Sequence, residues 1–180
     1  MWVALIVIGV LVVFFISIYN GLVGKRNKVK NSWSQIEVQL KRRFDLIPNL
    51  LETVKGYAAH ERQTFEAVTS ARTKFMAAQS PVDKMQANSE LTQVLGRLFA
   101  IAEAYPELKA NINFLELQGE LSKTEDKIGF ARQFYNDVVM EYNNAVQMFP
   151  SSIIAGIGGF REEPFFQMDE VERIAPQIKF

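Results

Sequence analysis

His60 is the one histidine of this 180-residue chain and there is no cysteine, so the side chains most used for nucleophilic and metal chemistry are nearly absent. A zinc-protease helix would carry a second histidine four residues after His60, where Thr64 stands instead. A carboxylate-bridged di-metal bundle needs two Glu-x-x-His pairs, and Glu116 and Glu120 share a helical face without such a partner, so they read as a solvated acidic face. The missing cysteines also remove disulfides and thiolate-ligated zinc or iron–sulfur clusters. Gly156-Ile157-Gly158-Gly159 follows no strand pattern and has Arg161 where a dinucleotide fingerprint needs its last glycine, so these glycines read as flexible or closely packed backbone. No P-loop or Gly-x-Ser-x-Gly elbow occurs, and the acids Glu162, Glu163, Asp169, Glu170 and Glu172 lack the spacing of a calcium loop. The expectation is a protein with no catalytic residue, no metal ligand and no cofactor. His60 then reads as a partly buried polar residue; a pH-sensitive contact, or a hydrolase pairing it with an acid, are minor alternatives.

With little chemistry to position, the elements themselves carry the information. Residues 1–19, MWVALIVIGVLVVFFISIY, hold no charged side chain. About 20 apolar residues at 1.5 Å rise cross a hydrocarbon core of about 30 Å, and Trp2 and Tyr19 bracket the run where amphipathic rings favour the interface. A cleaved leader would want a basic start and a small-x-small site, and neither precedes Asn20, so residues 1–24 read as a retained transmembrane anchor. The first charges after it are basic: Lys25, Arg26, Lys28 and Lys30. They predict an N-terminus outside and the remaining chain in the cytoplasm, and they can touch anionic lipid head groups or simply set topology. Net charge is zero but divided, with seven Lys/Arg against Glu37 alone through Phe44 and an acidic excess thereafter. Basic residues concentrated beside the anchor, not on a presented face, point to lipid and away from nucleic acid.

From Leu22 to Ile47, apolar and aromatic residues fall mostly three and four apart, so the spanning helix is expected to continue into the rest of the chain. Pro48 is expected to stop or kink it within 44–48, with Asp45 capping a second helix that runs to about Gln79. Ser80-Pro81 reads as a cap and first helical position, opening a third helix that buries Met85, Leu91, Leu98 and Ile101 and ends at Tyr105-Pro106. Residues 111–148 read as one long helix with Ile112, Leu115, Ile128, Val138 and Tyr142 inward. No stretch alternates with period two, so the fold class is all-α: a single N-terminal transmembrane helix continuing into an extended antiparallel up-and-down four-helix bundle. The domains are the anchor (1–24), the helical domain (25–149) and a tail (150–180). Within the tail, the apolar run at 149–160 is too short to span, and Ile153, Ile154 and Phe160 are expected to pack on the bundle's open end, the membrane surface or a neighbouring subunit.

The stretch NKVKNSWSQIEVQLKRRFDLIPNLLETVKGYAAHE at 27–61 resembles the signature region of the LemA family of bacterial membrane proteins. The resemblance continues through Tyr105-Pro106-Glu107-Leu108-Lys109-Ala110-Asn111, through Glu125, Ile128, Ala131, Arg132, Tyr135 and Asn136, through Phe149-Pro150, and to Phe165-Phe166 and Lys179-Phe180, covering essentially the whole chain. It implies one N-terminal span, a four-helix domain, location in the inner (cytoplasmic) membrane, no settled activity and no catalytic residue to carry over. Among the matching positions, Asn111, Gln118, Glu125, Arg132 and Asn136 form a polar stripe at spacings of seven, seven, seven and four. Such a stripe fixes register between helices or forms a seam between protomers. The expected function is a non-enzymatic scaffold that self-associates as a homo-oligomer and organises membrane or envelope assemblies, its partners being lipids and other membrane or envelope proteins. The rival is a monomeric adaptor for a membrane protease or an envelope-stress factor.

Overall fold

A computed structural model describes residues 1–166. The Lys179-Phe180 ending and the tail beyond Phe166 lie outside the described residues. The regular structure of the described residues is all helical, with no strand among them: α1 (Trp2–Lys55), α2 (Arg62–Ala77), α3 (Pro81–Ala104), α4 (Pro106–Lys109), α5 (Ile112–Gln147) and α6 (Ser151–Gly158).

α1 joins the uncharged run and the amphipathic stretch in 54 residues without a break. Every residue from Met1 to Ser17 is exposed, and the helix is long and apolar enough there to cross a membrane. Beyond that run, Leu22, Val29, Ile36, Leu40 and Phe44 mark a buried row. The expected stop at Pro48 does not occur. Proline costs roughly 3 kcal/mol against alanine in a helix interior, but Ile47, Leu50, Leu51 and Val54 are all buried around it, and burying each such side chain is worth about 1.5–3 kcal/mol. Packing therefore carries the helix past Pro48. It ends instead at Gly56, where the amides of Tyr57 and Ala58 both close on the Val54 carbonyl, at 3.0 and 2.9 Å. The second helix accordingly starts at Arg62, not Asp45.

The α3 boundaries fall where Ser80-Pro81 and Tyr105-Pro106 place them. The Ser80 hydroxyl accepts from the Asp83 amide at 3.1 Å, with Pro81 in the first turn. Asn111 caps α5, its Oδ1 accepting from the Phe114 amide at 3.0 Å. The inward row of α5 is Phe114, Leu121, Ile128, Tyr135, Val138 and Tyr142, and Ile112 and Leu115, expected inside, are on the surface because they lie off that row.

The chain divides into two units: residues 1–36 with 131–165, and residues 37–130 with Phe166. The core of the second unit draws Ile47, Leu50 and Val54 from α1, Phe65 and Val68 from α2, Leu91, Leu95 and Leu98 from α3, Leu108 from α4, and Phe114 and Leu121 from α5. The first unit buries Val29 and Ile36 of α1, Tyr135, Val139 and Tyr142 of α5, and Ile154 and Ala155 of α6.

Candidate functional site

In the first unit, the end of the apolar run meets the end of α6. The Phe160 ring stands edge-on to Tyr19 with centroids 5.5 Å apart, and the Arg26 guanidinium lies over the Phe160 ring, 4.9 Å from its centroid. The glycine pair before Phe160 makes this possible in two different ways. A Cβ at Gly158 would fall 2.7 Å from the Phe160 ring, so only glycine admits that close approach. Gly159 ends α6 at φ 68°, the left-handed conformation glycine adopts without cost, and the Phe160 amide closes on the Ala155 carbonyl at 2.9 Å.

The segment after Phe160 is strapped to α5. The Asn143 side chain donates to the Glu163 carbonyl and accepts from the Glu163 amide, both at 2.9 Å, and the Tyr135 hydroxyl donates to the Pro164 carbonyl at 3.0 Å. Burial, reinforced by the Glu163 carboxylate, pushes the Tyr135 phenol up to about 12. Burial also raises Tyr142, again with Glu163, while Arg26 acts in the opposite sense. Lys28 reaches Glu141 of α5 at 3.3 Å and Lys25 reaches the same oxygen at 3.8 Å, an exposed pair of small energetic worth.

In the second unit, Arg43 is the buried charge among the described residues. It donates to Asn88 Oδ1 and Thr92 Oγ1 of α3, both at 3.1 Å, and pairs with Glu125 of α5 at 2.9 Å. Burial lowers its pKa and Glu125 acts to raise it. One guanidinium thus ties α1, α3 and α5 together, with its fork filled. Lys84 pairs with Glu37 nearby. Glu120 accepts from Lys123 at 3.1 Å and Arg42 at 2.8 Å, which holds its carboxyl below the ordinary range. Glu116 and Glu120 line a shallow acidic groove with Asn49 and Glu52.

Among the described residues no group of three or more His, Cys, Asp or Glu could hold a metal. His60 is exposed in the turn after α1, not partly buried, because the helix has already ended at Gly56 and only Ala58 of the turn packs inward. Trp2 and Lys30 are exposed. The polar stripe divides between the units. Asn111 caps α5 and donates to the Tyr57 hydroxyl at 2.9 Å, Gln118 is exposed and Glu125 holds Arg43, while Arg132 and Asn136 are half-buried in the first unit. Of the apolar tail, Ile154 and Phe160 are buried and Ile153 is exposed. Sequence reasoning passed over Asn88, Thr92, Glu141 and the Asn143 strap. Two of the network's members did carry a signal: Arg43 lies on the row of Leu40 and Ile47, and Asn88 on that of Leu91 and Leu95.

The LemA family model matches residues 32–180, starting just past the basic residues that follow the apolar run. The chain belongs to the LemA family. Protein LemA of Metamycoplasma hominis is 27% identical over 173 residues, covering 94% of this chain and 78% of that protein. Magnetosome protein MamQ 2 of Paramagnetospirillum magneticum is 28% identical over 209 residues, 97% of this chain and 77% of that protein. Magnetosome protein MamQ of Magnetospirillum gryphiswaldense is 25% identical over 189 residues, covering 89% and 70%. This LemA-family chain therefore shares most of its length with proteins of both names.

Proposed function

We propose that this LemA-family chain is a membrane-anchored, non-enzymatic scaffold that self-associates and organises membrane or envelope assemblies. Residues 1–24 are its anchor and residues 25–149 its helical domain, an antiparallel up-and-down four-helix bundle on the cytoplasmic face of the inner membrane. The observation that carries the reading is the continuity of α1, in which the exposed apolar run and the packed core share one helix, so the domain is joined to its anchor without a flexible linker. Two sets of polar residues join elements of the fold: Arg43 with Asn88, Thr92 and Glu125 links three helices, and Asn143 with the Glu163 backbone holds the segment after Phe160 to α5. Relatives carrying the name of a magnetosome protein support a role in a larger assembly.

The test is the mass of the full-length protein in lipid nanodiscs or mild detergent, by mass photometry and light scattering. A discrete high-order oligomer is expected; a strict monomer across a wide concentration range overturns self-association. The groove lined by Glu52, Glu116 and Glu120 favours a second reading, an adaptor presenting an acidic face to a membrane protease or envelope-stress factor. In-cell crosslinking that captures only self-contacts would count against the adaptor. A hydrolase built on His60 has less behind it, since among the described residues His60 makes no hydrogen bond or ion pair with an acid. A His60→Ala variant that keeps every wild-type phenotype removes that reading.

A further inference from the structure

α6 has two apolar faces and only one is covered. Ile154 and Ala155 pack inward, while Ile153 is 51% exposed, Ile157 83% and Phe149, just before the helix, 81%. Ile153 and Ile157 are four residues apart on α6 and so form one stripe, with the exposed Phe149 in the turn before it, in a segment, 149–160, that carries no charged side chain. The level of this stripe along α1 is set by Phe160, whose ring rests on Tyr19, the last residue of the uncharged run, and by Gly158, where a Cβ would stand 3.4 Å from the Tyr19 ring. On one side of that level every residue back to Met1 is apolar or uncharged, and exposed through Ser17. On the other side, within about 10 Å along the helix, come Lys25 and Arg26.

We propose that α6 is a second membrane contact, an interfacial helix whose Ile153 and Ile157 side chains enter the head-group and upper acyl region of the bilayer that holds residues 1–19. The argument for lipid over a second copy of the chain is continuity: the C-terminal end of α6 meets the end of the exposed apolar run at Tyr19, so a bilayer that covers the run lies beside the stripe with no further partner. Aromatic and basic neighbours support it, since Tyr19 and Phe160 lie at the boundary and Arg26 is stacked on Phe160 just above. This rests on reading residues 1–24 as the anchor. The consequence is functional, because two contacts, one spanning and one lying flat, fix rotation about the α1 axis where a lone helix leaves it free.

The chain has no cysteine, so a single cysteine takes one environment-sensitive fluorophore on the full-length protein in phospholipid vesicles. Four positions suffice: Ile153→Cys, Ile157→Cys, Val10→Cys in the run, and Gln133→Cys, an exposed site near Tyr135, whose ring meets Trp33 roughly 20 Å along α1 from Tyr19. Lipids carry a quencher at a shallow or a deep acyl position, and iodide probes the water. The expected result is deep quenching at 10, shallow quenching at 153 and 157 several-fold above that at 133, and iodide quenching at 133 alone. If 10 is quenched by lipid but 153 and 157 respond only to iodide, α6 lies in water and the proposal falls with the anchor intact. If 153 and 157 are shielded from lipid and iodide alike, protein covers the stripe and the proposal falls as well. Absence of lipid quenching at position 10 would overturn the anchor itself.

Discussion

Arg43 is the side chain on which most of the second unit's buried polarity depends. Its removal in Arg43→Ala leaves Asn88 and Thr92 without their donor and Glu125 without its counter-charge. Breaking a buried pair by deleting one member typically costs 3–5 kcal/mol; because the Glu125 side chain is 41% exposed, the lower end, about 3 kcal/mol, is expected here. Urea unfolding of the full-length protein in micelles measures it, and a loss below about 1 kcal/mol would mean water replaces the network. Tyr135 answers to pH instead. Its folded pKa of about 12 lies above the usual 10, so the native state favours the neutral phenol. The stability it contributes is complete below pH 10 and declines as pH rises toward about 12. Tyr135→Phe gives up the bond to the Pro164 carbonyl, about 1 kcal/mol, and flattens that alkaline decline, leaving the share due to Tyr142. Equal slopes between pH 8 and 11 for the two proteins would contradict this.

α1 shows how packing overrides a local breaker. Pro48 has no amide for the Phe44 carbonyl, yet the helix continues through it because the buried residues on either side fix its path. Pro48→Ala restores that hydrogen bond at the expense of a half-buried ring and of chain stiffness in the unfolded state, so a net gain of about 1–2 kcal/mol is expected in the urea midpoint. A decrease would show that the ring's contacts outweigh the missing bond. Where a boundary rests on local chemistry, it was legible: Ser80-Pro81, Tyr105-Pro106 and the unbroken run from residue 2 into the amphipathic stretch need only neighbouring residues. Where it rests on tertiary burial, it was not, which is why the break appeared at Pro48 and why α5 was read with Ile112 and Leu115 inside. The same division holds for the site. Tyr19, Arg26 and Phe160 stand out by type and place, but their mutual contact depends on α5 returning alongside α1, and no spacing in the sequence reports that. Asn88 and Arg43 interrupt apolar rows visibly, whereas the Asn143 strap joins a side chain to backbone and leaves no compositional trace.

Which side of the membrane carries the helical domain is decided by the whole molecule's charge division and by the order in which its parts emerge. In the folded chain Lys25 and Lys28 are engaged by Glu141, which softens the basic flank. Lys28 and Glu141 are 113 residues apart, however, so the flank is made long before its partner exists, and insertion meets four bare cations. Carboxylates contribute little to orientation in any case. The expected outcome is a cytoplasmic domain, which a single Gln133→Cys reports: a membrane-impermeant maleimide leaves it unlabelled in intact cells and labels it after lysis. Replacing Lys25, Arg26, Lys28 and Lys30 together by Gln removes the bias and yields a mixed population with partial labelling in intact cells, while Glu141→Gln, which frees Lys25 and Lys28 only in the folded protein, leaves orientation unchanged. Labelling of the unaltered chain in intact cells would place the domain outside, and would mean that the cations after the apolar run face anionic lipid on the outer leaflet while some other feature of the chain decides insertion.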